Sequence, residues 1–373
     1  MPSLDLDGFD EHRYFGARSL ERAHDYSQGS RLIWLLATAS TIAALVVLTR
    51  RLPRYVQGMG LGRIGSAVIV GMVVLVTLWF VGLPFGFASL WWQHHWDLAP
   101  FDPLAWLIAQ RYALGASVAF AMLTIVVVVG LAARFGRRWW IPAAPFFVLV
   151  VVLFAFVSGW LYAAGTHRIR DPQLRADVVR LERVEHVQGT PVRVEDVSDW
   201  TDQANAFAAG FGPSSRVVLW NTLLDHRFTR GEVNAVVAHE LGHVRSRHIL
   251  KGLAWFALFA LPGAFLVGEL TRRRGGLEDP ANLPYAVLVL TVVGLVAAPF
   301  QNVVSRRYEA EADWRSLNAT HDPASTRRLF RSFEKTSLEE PSPPLWDYVW
   351  LETHPTLMQR IAMAERYEER QRR

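Results

Sequence analysis

Residues 283–313 read LPYAVLVLTVVGLVAAPFQNVVSRRYEAEAD, an apolar run that leads without a break into a charged segment. The first part, Leu283–Ser305, has no charged residue and is long enough to cross a bilayer, which takes about 20 residues as a helix. Glu309 and Asp313 follow shortly afterwards, and their spacing of four places both on one face of a helix. The stretch therefore predicts a membrane helix that emerges from the bilayer with two carboxylates on the same side.

Five further runs lack charged residues over lengths that suit a membrane crossing. They are Leu32–Thr49, Ile64–Trp92, Tyr112–Ala133, Trp139–Thr166 and Gly252–Gly268. The composition agrees, since 51% of residues are hydrophobic and only 20% are charged, against about a quarter charged in soluble domains. We therefore predict six spans. The run at 252–268 is the shortest. Instead of crossing the membrane, it could form a buried helix of a soluble domain.

The predicted spans divide the chain into five regions. An N-terminal polar segment (1–30) precedes a four-helix transmembrane region (31–166), a first polar region (167–251), a transmembrane hairpin (252–305) and a second polar region (306–373). The hairpin returns the chain to the same side of the membrane, so the two polar regions are expected to fold together. No small-residue cleavage site follows the first apolar run, so we expect no cleavable signal.

Local patterns assign secondary structure to the polar regions. Thr190–Val197 and Arg216–Trp220 are rich in residues that favour strands, whereas Pro172–Val187 and the segments of 306–373 have helical patterns. The sequence thus predicts a mainly α polytopic membrane protein with a small α+β domain at the membrane surface.

Composition also limits the chemistry. The chain has no Cys, which excludes thiol nucleophiles and cysteine metal sites and leaves His and carboxylates as ligands for a transition metal. The net charge of +5 comes from basic residues that lie in short loops beside apolar runs, as membrane-flanking residues do. We therefore expect a lipid bilayer as a partner and no nucleic acid.

Residues 239–243 read His-Glu-Leu-Gly-His. On a helix, His239 and His243 project from one face and can share a tetrahedral zinc ion, while Glu240 can take a proton from an attacking water. The helix is supported by a capping box, with Thr229 as N-cap and Glu232 three residues later. The alternative is an amphipathic helix with two surface histidines.

A third ligand has to come from elsewhere in the chain. Glu309 could complete a site of two His and one Glu, and Asp313 could accept a hydrogen bond from the outer N–H of a ligating imidazole. Glu311 is expected to point away and be solvated. The two ligand helices are predicted extensions of the hairpin at 252–305, which places the metal at the membrane surface.

These motifs resemble the type I CAAX prenyl endopeptidases and their bacterial relatives, the HtpX-type proteases, which are integral-membrane gluzincins. The resemblance covers about residues 170–365. Besides the two motifs above, it rests on Asn205–Gly210, Arg216–Leu224 and Thr353–Ile361. It implies a zincin-like metalloprotease domain built from both polar regions, with one zinc ion per chain.

The resemblance also implies roles for individual residues. Glu309 is the third zinc ligand, Asn205 hydrogen-bonds the substrate backbone, His354 stabilises the developing oxyanion, and Arg360 buttresses the site. The resemblance favours a catalytic domain in the cytoplasm. The positive-inside rule favours a catalytic domain outside the cytoplasm, because most arginines of the short loops lie on the opposite side of the membrane from it.

Structural roles are expected for four other residues that could belong to a site. His248 is expected on the helix face opposite His239, as an interfacial or structural residue. His94 and His95 lie among tryptophans and are expected in an interfacial aromatic belt. Glu269 is expected to be a solvated residue at the end of its span.

The motifs and the family resemblance together predict a zinc-dependent endopeptidase of the cell membrane that cleaves membrane-associated, lipidated or misfolded proteins. An extended peptide is expected to add to a strand edge near residues 203–212. Within this class, a processing protease for lipidated proteins competes with a quality-control protease. The alternative of another class is a non-hydrolytic membrane scaffold or sensor with structural zinc.

Overall fold

The computed structural model describes residues 6, 8–56 and 60–373. Residues 1–5 and 7 of the predicted N-terminal segment, and residues 57–59 after the first span, lie outside the described residues. The helices are α1 (Ala17–Arg51), α2 (Pro53–Val56), α3 (Gly62–His95), α4 (Pro103–Phe135), α5 (Trp140–Ala163), α6 (Pro172–Val184), α7 (Arg230–Ser246), α8 (His248–Arg272), α9 (Leu283–Thr320), α10 (Pro323–Ser337), α11 (Leu345–Trp350) and α12 (Leu357–Arg372). The strands are β1 (His167–Arg168), β2 (Val192–Glu195), β3 (Ala206–Ala209) and β4 (Arg216–Trp220).

Six helices of the described residues are long and apolar enough to cross a membrane: α1, α3, α4, α5, α8 and α9. They coincide with the six predicted spans, so that prediction is confirmed. The soluble alternative for α8 is wrong, because Leu258 and Leu261 are 61% and 45% exposed in the middle of this helix. Such side chains need a lipid environment rather than water.

The membrane helices pack most tightly at the end far from the polar regions. The cluster of buried side chains there includes Val70 of α3, Val129 of α4, Ala143 of α5, Val267 of α8 and Ala286 of α9. Contacts run from α9 to α1, α3 and α8, and from α5 to α4 and α8. The bundle is therefore held together at one end, and the polar domain sits at the other.

The polar domain contains a four-stranded sheet in the order β1-β2-β4-β3. β2 and β4 are parallel, whereas β3 is antiparallel to β4, with Phe207 opposite Val218. The predicted strand at Arg216–Trp220 is β4, and the one at Thr190–Val197 is the shorter β2. β3 is the last strand of this order, so its outer edge pairs with no described strand of the sheet.

The fourth span supports this sheet through a close approach of two backbones. Gly159 of α5 lies against the loop after β3, where a Cβ at its position would be 1.9 Å from the carbonyl oxygen of Ser214. Tyr162 of α5 packs edge-on against Phe207 of β3, with 5.2 Å between the ring centroids. The edge strand is therefore fixed to the membrane bundle.

The core of the polar domain draws on both polar regions and on the N-terminal segment. Leu181 of α6, Val237 of α7, Leu329 of α10 and Ile361 of α12 belong to one buried cluster, together with Phe15. Side chains of the two polar regions thus pack into one shared buried cluster. The N-terminal segment is more than a polar extension, because Phe15 is only 5% exposed.

The two ligand helices join the hairpin differently. α9 continues without interruption from the membrane to Thr320, so the predicted extension of this span is confirmed. α7 does not continue into α8, because Arg247 adopts a left-handed conformation (φ 54°) that ends one helix and begins the next. The sequence pattern did not reveal this break, since arginine is an ordinary helix former.

Candidate metal centre

α7 carries the His-Glu-Leu-Gly-His motif on a helix whose start is well defined. Thr229 and Glu232 form the predicted capping box, and the Thr229 backbone N–H donates to Glu232 Oε2 at 2.7 Å. The carboxylate is further held by the hydroxyl of Ser332, which donates to Glu232 Oε1 at 2.8 Å. The register of α7 is thereby fixed before the motif begins.

Glycine within the motif allows α7 to pack closely against α9. A Cβ at Gly242 would lie 3.2 Å from the Cβ of Arg315, which is tighter than ordinary van der Waals contact. Ser316 of α9 also donates a hydrogen bond to the carbonyl oxygen of Ala235 at 2.7 Å. This packing brings Glu309 of α9 within reach of both motif histidines.

His239, His243 and Glu309 converge on a single point, with one ligand atom from each within 4.8 Å of the others. The two Nε2 atoms are 3.0 Å apart, and the Glu309 oxygens lie 3.1 Å from His239 Nε2 and 3.5 Å from His243 Nε2. Ligand atoms of a tetrahedral ion with bonds of 2.0–2.1 Å are about 3.3 Å apart. The donor set therefore fits a metal ion, and within the described residues no second cluster of this kind occurs.

The side chains that orient His239 are also in place. His239 Nδ1 lies 2.9 Å from Asp313 Oδ1, and Arg360 donates to both oxygens of Asp313 at 2.8 and 2.7 Å. Burial alone would lower the pKa of His239, but its hydrogen bonds with Asp313 and Glu309 raise it to about 10. Burial alone would also lower the pKa of Arg360, but the negative charge of the neighbouring Asp313 raises it above its usual value. Asp313 and Arg360 thus form a charged support behind His239.

Glu240 and three other predicted residues line one cavity beside His239. Glu240 is 8% exposed, and the cavity wall includes Asn205, His354 and Arg360. His354 Nε2 is 3.3 Å from Glu309 Oε2, so this imidazole faces the ligand cluster. The side chain is 47% exposed, but desolvation by the surrounding protein is still the largest influence on His354 and lowers its pKa. A neutral ring can donate one hydrogen bond.

Asn205 directly precedes the edge strand β3. Its side-chain oxygen accepts a hydrogen bond from the N–H of Ala206 at 2.8 Å, and its own carbonyl oxygen accepts from the N–H of Trp220 at 3.0 Å. The asparagine is exposed. Its position at the start of the open strand edge, in the cavity that Glu240 lines, allows its side chain to meet an extended peptide.

The structure differs from the sequence analysis at His248. The break at Arg247 turns this residue back towards the site, where His248 Nδ1 lies 2.9 Å from His243 Nδ1. Its ring stacks on Tyr308 at a centroid distance of 4.6 Å. A structural role was expected, but the predicted opposite helix face was wrong because it assumed one continuous helix.

Glu311 also differs from its predicted solvated state. It accepts a hydrogen bond from the hydroxyl of Ser246 at 2.7 Å, and its other oxygen lies 3.3 Å from His248 Nε2. Lys251 completes this group at 3.4 Å. Glu311 therefore belongs to the surroundings of the site, because α7 ends at Ser246 beside it and the break at Arg247 brings His248 next to it.

His94, His95 and Glu269 lie in the surroundings that the sequence predicted for them. His95 stacks on Trp91 with 5.3 Å between ring centroids, and His94 stacks on Phe101 at the same distance. Glu269 forms an exposed hydrogen-bonded pair with Arg272 at the end of α8, where Arg272 Nε is 2.8 Å from Glu269 Oε2. None of them contributes to the ligand cluster.

Comparison with known proteins agrees with this geometry. Residues 168–368, more than half of the chain, match the sequence model of "Peptidase family M48". The "Uncharacterized metalloprotease YhfN" of Bacillus subtilis is 25% identical over 315 residues, which cover 80% of this chain and 74% of that protein. A "CAAX prenyl protease 1 homolog" of Oryza sativa subsp. japonica is 25% identical over 180 residues.

The rice relative matches only in part, since the alignment covers 46% of this chain and 42% of that protein. Among solved structures, Ste24p of S. mikatae superposes with a TM-score of 0.75 at 18% sequence identity. The superposition covers 98% of this chain and 91% of Ste24p. The similarity of fold therefore includes the membrane bundle as well as the polar domain.

Proposed function

Because the chain belongs to peptidase family M48 and is a multi-pass membrane metalloendopeptidase, we propose that its metal is one zinc ion held by His239, His243 and Glu309. Two imidazoles and a carboxylate are a common ligand set of catalytic zinc, which keeps a fourth position open. The convergence of their three ligand atoms within 4.8 Å carries this proposal. Asp313 would fix the tautomer and orientation of His239 through its Nδ1–H.

Zinc supplies Lewis acidity that makes water nucleophilic near neutral pH. The Glu240 carboxylate, in the same cavity, accepts a proton from the attacking water and passes it to the amine that leaves. The Nε2–H of His354 donates a hydrogen bond to the carbonyl oxygen as negative charge develops there. Arg360 acts indirectly, by holding Asp313 in place.

The peptide is proposed to bind in an extended form along the outer edge of β3. Its backbone groups would pair with the unpaired edge of Ala206–Ala209, as in other cases of strand addition. Asn205 would hydrogen-bond the backbone near the scissile bond, since it lies at the end of β3 that adjoins Glu240.

The proposed substrates are membrane-associated proteins, including lipidated and misfolded ones. The site lies where α9 leaves the membrane region, so a segment held close to the bilayer can reach it. A processing role on lipidated tails and a quality-control role on unfolded membrane proteins are both compatible with this position. Cleavage of a panel of prenylated peptides beside unfolded membrane proteins distinguishes them.

The catalytic domain is proposed to face the cytoplasm, as the family resemblance favours. The arginines of the short loops at the far end of the bundle would favour the opposite orientation. A reporter enzyme that is active only outside the cytoplasm, fused after Arg373, tests this directly. An active fusion would reverse the proposed orientation without affecting the site.

The decisive experiment compares zinc content and peptide hydrolysis of the wild type, Glu240→Gln and Glu309→Ala. We expect Glu240→Gln to keep one zinc ion and to lose activity by about 100- to 10,000-fold, because it removes the general base. Glu309→Ala should lose zinc as well as activity. Glu369→Gln, at the exposed end of α12, serves as a control and should resemble the wild type.

Two results would contradict the proposal. Proteolysis that persists in Glu240→Gln would overturn the mechanism. Full zinc content without hydrolysis of a broad substrate library would favour the alternative, a scaffold or sensor with structural zinc. The position of Glu240 argues against that alternative, because a closed structural site has no use for a carboxylate base in an adjoining cavity.

A further inference from the structure

The segment that leads to His354 is attached to the sixth membrane helix. α11 ends at Trp350, and the final turn of a helix leaves carbonyl groups without partners in the helix. Arg306 of α9 donates through Nη1 to the carbonyl oxygens of Tyr348 and Glu352, at 2.7 and 2.6 Å. Asn302, one turn earlier, donates to the carbonyl oxygen of Val349 at 3.2 Å. Three carbonyl groups at this end of α11 are therefore paired with side chains of α9.

Arg306 is well suited to fix this segment. It is 7% exposed, and its guanidinium lies 4.2 Å from the centroid of the Tyr348 ring. A planar guanidinium can donate to two acceptors while it stacks on an aromatic face, whereas a lysine ammonium is a single point charge on a flexible chain. The arginine thus holds both α11 and the residues just before His354.

A fourth hydrogen bond between α9 and this segment depends on a proline in the membrane helix. Pro299 has no N–H, so the carbonyl oxygen of Leu295 loses its usual partner four residues later. The indole Nε1–H of Trp350 donates to this oxygen at 3.2 Å. The proline therefore creates an acceptor in α9, and the last residue of α11 uses it.

The same helix carries Glu309. Arg306 and Glu309 are three residues apart in α9, which corresponds to a rise of about 4.5 Å along the axis. His354 Nε2 lies 3.3 Å from Glu309 Oε2. One uninterrupted helix thus provides a side chain of the ligand cluster and the contacts that hold the segment bearing His354.

We propose that Arg306, supported by Asn302 and Trp350, is a positioning residue that sets the place of His354 relative to Glu309. We call these three residues the α11 clamp. The inference rests on the proposed role of His354 in hydrolysis. A displacement of about 1 Å in such a group can reduce the rate by about 100-fold, so a weakened clamp lowers kcat while substrate binding and the ligand cluster are preserved.

The test is Arg306→Lys, with Arg307→Lys as the matched control. Both variants keep the charge on the same helix, but Arg307 is exposed. We expect kcat of Arg306→Lys to fall by about 10- to 100-fold, with KM and zinc content as in the wild type. Arg307→Lys should behave as the wild type does.

A double-mutant cycle separates positioning from a general structural effect. In a His354→Ala background, Arg306→Lys should cause no further loss, because a clamp that acts through His354 has nothing left to position. An equal loss in both backgrounds would overturn the inference. Loss of zinc from Arg306→Lys, or identical activity of the two lysine variants, would overturn it as well.

Two further measurements keep the inference testable if Arg306→Lys folds poorly or if the wild type hydrolyses no peptide. Trp350→Phe keeps an aromatic ring at a half-exposed position and removes only the indole donor, so it should lower kcat in the same non-additive way. Amide hydrogen exchange of residues 345–356 requires no activity and should be faster in Trp350→Phe and Arg306→Lys than in Arg307→Lys. If the exchange rates of residues 345–356 are unchanged in both clamp variants, the clamp is refuted. If exchange is faster in those variants but the wild type hydrolyses no peptide, only the proposed function is refuted.

Discussion

Single residues determine how firmly each ligand of the candidate metal centre is held. His239 has the usual partner for a ligating imidazole, a carboxylate, in Asp313. His243 instead has a second imidazole, with 2.9 Å between its Nδ1 and that of His248. If His243 donates its Nδ1–H, His248 accepts it at Nδ1, and the neutral His248 ring then carries its own proton on Nε2, which is 3.3 Å from Glu311 Oε2. A carboxylate thus orients His239, whereas a neutral imidazole orients His243.

The hydrogen bond between His243 and His248 leads to a prediction for the variant His248→Phe. The phenyl ring can still stack on Tyr308, but it cannot accept the hydrogen bond from His243. We expect about 10- to 100-fold weaker zinc binding, the range found when outer partners of metal ligands are removed. Competition with a chromophoric chelator measures the affinity.

His248→Gln provides the control for this prediction, because its side-chain oxygen can accept the same hydrogen bond. It should recover part of the affinity that His248→Phe loses. Equal zinc affinity in His248→Phe and the wild type would show that His248 only packs against Tyr308.

At the scale of elements, α7 depends on its first turn. The N-cap Thr229 and the N3 residue Glu232 satisfy each other's backbone N–H groups, and Ser332 ties the carboxylate to α10. The ligands His239 and His243 lie on the helix that this box starts. A frayed first turn would therefore weaken both the domain and the ligand geometry.

We predict that Thr229→Ala destabilises the protein by about 1 kcal/mol, the typical cost of losing an N-cap side chain. Thermal unfolding in detergent, followed by tryptophan fluorescence, should show a lower Tm. Thr229→Ser retains the hydroxyl and should stay close to the wild type. A Tm of Thr229→Ala equal to that of Thr229→Ser would contradict the proposed importance of the cap.

At the scale of the whole molecule, buried charges connect the membrane bundle with the peptidase domain. Arg31 of α1 pairs with Glu340 and with Asp347 of α11, and its Nε lies 2.5 Å from Asp347 Oδ2. Arg31 and Asp347 are 8% and 4% exposed. The first span, through Arg31, and the sixth, through Asn302 and Arg306 of the α11 clamp, therefore both hold α11.

We predict that Arg31→Met destabilises the protein by about 3–5 kcal/mol, because it leaves buried carboxylates without their partner. Arg22→Met is the matched control on the same helix. Arg22 pairs with Asp97 at 3.3 Å, but both side chains are largely exposed, and exposed pairs contribute about 0–1 kcal/mol. Similar unfolding of the two variants would show that the buried pair does not secure α11.

Several features followed from the sequence with little ambiguity. Uncharged runs of sufficient length predict membrane helices, because lipid requires apolar side chains and a backbone that satisfies its own hydrogen bonds. The spacing of His239 and His243, and of Glu309 and Asp313, places each pair on one helix face. The capping box predicted where α7 begins.

Tertiary structure alone decided the relations between segments distant in the chain. The turn at Arg247 brings His248 to both His243 and Glu311, although arginine at that position carries no sign of a helix break. Arg306 reads in the sequence as a charge that flanks a membrane span, and only the fold pairs it with the carbonyl groups of α11. Local pattern encodes which face a side chain occupies, whereas the partner on that face depends on packing between elements that the pattern does not specify.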